Sequence, residues 1–189
     1  MFVLVGLGNP GNQYALNRHN VGFMAIDTIA ESYGFPPFKQ KFSALVSEGN
    51  LGTNRLILCK PQTFMNRSGQ SVAQLVQFYK VLSHFVYVIH DDLALEPGRV
   101  KLKLGGGAGG HNGLRSLDQH MGANYWRVRV GIGHPGVKDM VSDYVLSNFK
   151  TSDHDWLTSV LSSICEESPS LLGGDPSTWI QALEKRMAV

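Results

Sequence analysis

Apolar and polar positions follow two different periods along the chain, and the switches between them mark out the elements. Phe2 to Val5 is a short continuous apolar run stopped by Gly6 and Gly8, which predicts a strand buried on both faces. After the loop Gly6 to Gly11, the residues Val21, Phe23, Met24, Ile26, Ile29 and Ala30 recur at near-helical spacing, until Gly34 and Pro36-Pro37 end the helix. Phe42 to Ser47 and Arg55 to Cys59 read as an antiparallel hairpin joined by the turn-rich Glu48 to Asn54. Gln70 to Leu82 carries a helical stripe of Val72, Ala73, Leu75, Val76, Phe78 and Tyr79, with Ser68 or Asn66 available as N-cap. Phe85 to Ile89 is another buried strand, running into His90-Asp91-Asp92.

Val100 to Leu104 alternates Val, Lys, Leu, Lys, Leu, a strand with one wet basic face. The loop Gly105 to Gly110 leads through His111-Asn112-Gly113 into a helix holding Leu114, Leu117 and Met121. Trp126 to Ile132 is the last clear strand, with Arg127 and Arg129 alternating with Val128 and Val130. Beyond Pro135 the pattern is helical: about Val141 to Leu146, Asp153 to Glu167, and from Pro176 onward. Strands interleaved with helices predict an α/β fold whose helices cover both faces of the sheet, and the hairpin makes that sheet mixed. No linker-like stretch divides the 189 residues, so a single domain over 1–189 is expected.

Composition narrows the class. The chain is 43% hydrophobic and 17% charged, which excludes disorder and coiled coil. Cys59 and Cys165 stand apart without a Cys-x-x-Cys spacing and read as reduced, packed thiols of a cytoplasmic protein. The N-terminus lacks the basic region and long apolar core of a signal peptide, and nowhere do 18 apolar residues run together. The net charge of +2 argues, taken whole, against a nucleic-acid partner. Its distribution argues otherwise. Residues 1–140 hold 14 basic and 8 acidic side chains, whereas the helical segment 141–189 holds 3 and 7. Lys101, Lys103, Arg127 and Arg129 fall on two strands beside the glycine loop, either as a solvated strand face or as a phosphate-binding strip.

Gly6-x-Gly8-x-x-Gly11 formally matches the dinucleotide-binding pattern. That mechanism needs an acidic residue closing the second strand, and the nearest candidate, Asp27, lies inside the first helix, so the glycines read as a tight turn instead. The same loop places Asn9 at the carboxyl end of a buried strand, where open α/β sheets bind ligands. Arg18-His19-Asn20, Met65-Asn66, Asp91-Asp92 and Asn112 occupy comparable loop positions. A histidine paired with a carboxylate makes a general base, and His19 with Asp91 could form that pair, while His90, His111 and His134 compete on position alone. There is no Gly-x-Ser-x-Gly elbow, no His-Glu-x-x-His and no paired-cysteine zinc signature, so neither a covalent nucleophile nor a metal is expected. A base that activates water among neutral amide donors suits ester hydrolysis, in which Asn N–H groups stabilise the developing oxyanion.

Five segments in register resemble the bacterial peptidyl-tRNA hydrolase family: Val5-Gly-Leu-Gly-Asn-Pro-Gly11 continuing to Arg18-His19-Asn20, Lys60 to Gly69 (KPQTFMNRSG), His90 to Leu93, Lys103 to Gly113, and Arg127 to Gly136. The resemblance runs from residue 1 to about 150. It implies a three-layer α/β/α sandwich around a twisted mixed sheet, and a monomeric, cofactor-free esterase that cuts peptide from the 3′-terminal ribose of tRNA. Carried over by position, it makes His19 the base and Asp91 its orienting partner, with Asn9, Asn66 and Asn112 placing substrate and water. It also implies that Tyr14, Asn20 and Met65 contact the substrate, while Lys103 and Arg129 hold phosphates of the acceptor stem and 3′ end. A pocket of neutral amides such as Asn9 and Asn66 should prefer a blocked peptide to a charged α-amine. Ala94 departs from the family pattern, in which that position is acidic in many members.

Overall fold

A computed structural model describes residues 1–188. β1 (Phe2–Gly6) lies inside a seven-stranded sheet and divides its side chains between two cores, Phe2 and Leu4 on one face, Val3 and Val5 on the other. That split is what a strand buried on both faces requires. α1 (Val21–Ser32) follows, then β2 (Lys39–Lys41), β3 (Ala44–Leu51), β4 (Asn54–Pro61) and α2 (Ser68–Tyr79). Next come β5 (Val86–Asp92), β6 (Val100–Leu104), α3 (Asn112–Met121), β7 (Trp126–Gly131), α4 (Val141–Val145), α5 (His154–Leu171) and α6 (Pro176–Met187).

The sheet order is β2-β3-β4-β1-β5-β7-β6. β1, β4, β5 and β7 run parallel, and β3 and β6 run against them. α1, α5 and α6 supply one core, through Ile26, Ile29, Ile164, Trp179 and Leu183; α2 and α3 supply the other, through Val72, Leu75, Leu114 and Leu117. The architecture is therefore the expected three-layer α/β/α sandwich around a mixed sheet. Both free cysteines are buried, and burial pushes the Cys59 thiol up to about 12. Among the described residues, no helix is long and apolar enough to cross a membrane.

Three local differences from the expected pattern have physical reasons. β2 is an exposed Lys-Gln-Lys edge, polar on both faces and so invisible to hydrophobic periodicity. β5 continues through His90 and Asp91, which pair in register with Arg129 and Val130, because the ladder persists where the apolar run stops. Neither Ser68 nor Asn66 caps α2: the N-cap position is Arg67, and the Ser68 hydroxyl donates to the Met65 carbonyl at 2.8 Å. Ser116 Oγ of α3 instead accepts from the Gly69 N–H at 2.9 Å, so one helix caps the other. That contact needs glycine at 69, since a Cβ there would sit 2.1 Å from the Ser116 carbonyl oxygen.

The glycines of the first loop also have a packing role. A Cβ at Gly6 would lie 2.2 Å from the Gly22 oxygen, and one at Gly8 would lie 2.6 Å from the Phe23 ring. The strand end and the start of α1 therefore touch backbone to backbone, and the Gly-x-Gly spacing reflects this close approach.

Candidate active site

The parallel strands carry their C-terminal loops to one edge of the sheet, around a cavity of about 900 Å³. Asn9 arrives after β1, Met65 and Asn66 after β4, Asp91 at the end of β5 and His134 after β7; His19 enters just before α1, His111 and Asn112 at the start of α3. All of these residues line the cavity.

His19 and Asp91 meet as expected. His19 Nδ1 lies 2.9 Å from both carboxylate oxygens, and both residues are buried. The ring therefore donates its Nδ1–H to Asp91, which leaves the Nε2 lone pair for the cavity. The carboxylate has a second imidazole partner, since His111 Nε2 lies 2.8 Å from Asp91 Oδ1. His111 is also the N-cap of α3, where its Nδ1 accepts from the Gly113 N–H at 3.1 Å and the Leu114 N–H at 3.3 Å. With Nδ1 accepting two backbone donors, the proton sits on Nε2 and points at Asp91. Burial opposes ionisation of Asp91, but the two imidazoles beside it hold the carboxyl well below the usual carboxylate range.

His19, Asp91 and His111 offer ligand-type atoms within 4.8 Å of one another. The two nitrogens face the carboxylate as hydrogen-bond donors, so the group forms a closed hydrogen-bond set. His90, a rival for the base on position, also lines the cavity but is only 2% exposed. Its Nδ1–H donates to the Asp91 carbonyl at 2.8 Å, and its buried Nε2 has no partner. Burial, then the neighbouring His111, lower its pKa to about 4.

The Asn9 side-chain oxygen accepts from the Met65 N–H at 2.8 Å, which leaves the Nδ2 hydrogens as its free donors. Asn20 serves Asn9 rather than the main cavity. Its side-chain oxygen accepts from the Asn9 N–H and its Nδ2 donates to the Asn9 carbonyl, each at 2.9 Å. Tyr14 stands outside the cavity lining, edge-on to Phe64 with ring centroids 6.5 Å apart.

The four basic residues share one face of the sheet, with Lys101 opposite Arg129 and Lys103 opposite Arg127. Their environments differ. Lys103 is exposed beside the cavity, and Arg129 donates its Nε–H to Asp92 at 2.7 Å. Arg127 departs from the phosphate-strip reading. It is 2% exposed and its guanidinium donates to the carbonyls of Gly106 and Gly107 and to Asp118, which anchors the glycine loop from below.

In the sequence His111 is one of several competing histidines, and its position after a glycine loop, at a helix start, is the available signal for capping. The Asp91 contact depends on the register of β5 against α3 and has no local sequence signal.

An α/β protein with a polar cavity at the carboxyl edge of its sheet, and a buried histidine–carboxylate pair beside it, has the build of an enzyme. The peptidyl-tRNA hydrolase family model matches residues 3–188, and the chain belongs to that family. It is 53% identical to peptidyl-tRNA hydrolase of Ruegeria pomeroyi over 188 residues, covering 100% of this chain and 79% of that protein. It is 51% identical to that of Rhodospirillum centenum over 179 residues, 95% of this chain and 79% of the relative. The crystal structure of peptidyl-tRNA hydrolase from Acinetobacter baumannii superimposes with a TM-score of 0.92 at 37% identity, over 97% of this chain and 94% of the other.

Proposed function

We propose that the chain, as one domain of the cytoplasm acting as a monomer, hydrolyses the ester between a peptide and the 3′-terminal ribose of tRNA, with His19 as general base. The observation that carries this reading is the buried His19–Asp91 pair, 2.9 Å apart, at a cavity also lined by Asn9, Asn66 and Asn112. His19 Nε2 takes a proton from water as the water oxygen attacks the ester carbonyl. The negative charge of the ionised Asp91 stabilises the imidazolium formed in that step. Amide N–H groups of the asparagines, Asn9 Nδ2 among them, stabilise the oxyanion. The imidazolium returns the proton to the departing ribose 3′ oxygen, so no covalent enzyme intermediate is needed. His111 holds the second lone-pair direction of Asp91 and keeps the carboxylate aimed at His19.

Lys103 and Arg129, which line the same cavity, bind phosphates of the acceptor stem and 3′ end. The test is release of N-acetylated amino acid from tRNA by the wild type and by His19→Ala. The variant should lose roughly 10²-fold or more in turnover, the range for loss of a general base, while still binding tRNA. Near-normal turnover would remove His19 from the role.

A further inference from the structure

The residue before the base, Arg18, is 4% exposed and is not spent on the cavity. Its guanidinium crosses to the segment that follows α4. Nη1 donates to Ser147 Oγ and the Asn148 carbonyl, each at 2.8 Å, and Nη2 to Asp153 at 3.2 Å. The guanidinium carbon stands 4.5 Å from the centroid of the Tyr144 ring and 5.6 Å from that of Phe149, so the cation is stacked as well as hydrogen-bonded. Backbone bonds close the same joint: the Arg18 N–H donates to the Ser147 carbonyl and the Phe149 N–H to the Leu16 carbonyl, each at 3.1 Å. Asn17 Nδ2 adds a bond to Asn148 Oδ1 at 2.8 Å.

The segment held in this way carries one wall of the cavity. Val141, Val145 and Leu146 line it and make this wall largely apolar, with Ser142 among them and Lys138 just before. One joint thus connects the turn that presents His19 to this wall, and one side chain makes most of the side-chain hydrogen bonds across it. We infer that Arg18 is a positioning residue for substrate specificity: it latches the α4 wall at a set distance from His19, where Val141, Val145 and Leu146 receive the side chain of the amino acid whose ester is cut. An apolar acyl side chain gains contact with this wall, whereas glycine has none to offer. Lysine could not replace the fork, because one ammonium cannot reach three separated acceptors in a plane while stacking on two rings.

This inference rests on the hydrolysis proposed above, and wild-type enzyme must first cleave both test substrates; failure there would remove the functional reading and leave the latch unaddressed by kinetics but open to the melt described below. The experiment compares N-acetyl-leucyl-tRNA with N-acetyl-glycyl-tRNA for wild type and Arg18→Met, which keeps an unbranched apolar stem and removes the fork. KM for the leucyl substrate should rise about tenfold, the low end for one methylene of lost contact. KM for the glycyl substrate should change less than about twofold, and the pH–rate profile should keep its midpoint. An equal rise on both substrates would overturn the wall assignment. A fall in kcat with a displaced pH profile would show instead that Arg18 acts on His19, and would also overturn it. If Arg18→Met fails to fold by circular dichroism, Val145→Ala decides. It cuts back the wall with the latch intact and must raise the leucyl KM selectively; no selectivity sinks the proposal. Should the wild type cleave neither substrate, limited proteolysis during a thermal melt reads the latch directly, with Arg18→Met expected to expose the 141–153 segment first and unchanged cleavage counting against it.

Discussion

Asp91 accepts from two histidines that differ in what holds their other nitrogen. His111 Nδ1 is engaged by the backbone of α3, whereas His19 Nε2 faces the cavity, so the two rings can be separated by mutation. Asparagine is a strong N-cap whose shorter side chain cannot also reach Asp91. His111→Asn should therefore keep the α3 cap but lose about 1.5–3 kcal/mol of stability, the range for a buried hydrogen bond to a charged group, while lowering kcat roughly tenfold through a looser carboxylate. A stability equal to that of wild type, or an unchanged kcat, would contradict that division of labour. His90 gives a separate pH signature. Its pKa of about 4 lies below the usual value of an exposed histidine, so the fold keeps it neutral and the unfolded chain binds its proton first. The stability it contributes is complete above about pH 6.5 and is lost as pH falls from there toward 4, on the order of 3 kcal/mol. Asp91, shifted down, loses its contribution in a lower window, below about pH 4. Denaturant melts at pH 7 and pH 4.5 should show a shallower decline for His90→Asn than for wild type. Equal declines would place the sensitivity elsewhere.

At the level of elements, the close approach of α1 to the sheet brings His19 over the end of β5. A Cβ at Gly22 would lie 2.4 Å from both the Ile89 oxygen and the Leu7 nitrogen, backbone atoms that cannot rotate away. Gly22→Ala should cost about 3 kcal/mol or more, at the upper end for overpacking, and should displace His19 with the helix. A melting temperature within a degree or two of wild type would show that α1 can shift without consequence. Gly22 had no special mark in the sequence, because helical periodicity treats a glycine in a buried stripe like any small residue. The elements themselves were legible wherever one face or both were apolar: β1, β6, α3 and the C-terminal helices lie where the patterning puts them. Legibility failed at the polar ends. The ladder of β5 through His90 and Asp91, the exposed edge β2 and the capping of α2 by Ser116 all depend on partners distant in sequence. The site shows the same division. Residue types at the carboxyl ends of strands and the family motifs pointed to His19, Asp91 and the asparagines, but the use of Asn20 on the Asn9 backbone and of Arg18 on the α4 segment required the three-dimensional packing.

Over the whole molecule, the net charge of +2 conceals a basic portion that carries the motifs and most of the cavity lining, and an acidic helical one that carries none of the motifs and adds one wall. Even within the basic portion, counting cations overstates what is available to a phosphate. Arg127 is buried on two carbonyls and Asp118, Arg129 is shared with Asp92, and Lys103 is exposed at the cavity. Salt dependence distinguishes these states, because each phosphate contact contributes about one unit to the slope of log affinity against log salt. Lys103→Ala should weaken tRNA binding and reduce that slope by roughly 1, with the melting temperature unchanged. Arg127→Met should do the reverse. It takes the donor from the Gly106 and Gly107 carbonyls and one of two from Asp118, which keeps the Tyr125 hydroxyl at 2.8 Å, at about 1–3 kcal/mol for unsatisfied buried acceptors, while tRNA binding measured below the lowered melting temperature keeps the wild-type slope. A slope reduced by Arg127→Met as much as by Lys103→Ala would mean that the buried guanidinium turns outward to the nucleic acid, and that the glycine loop opens to let it.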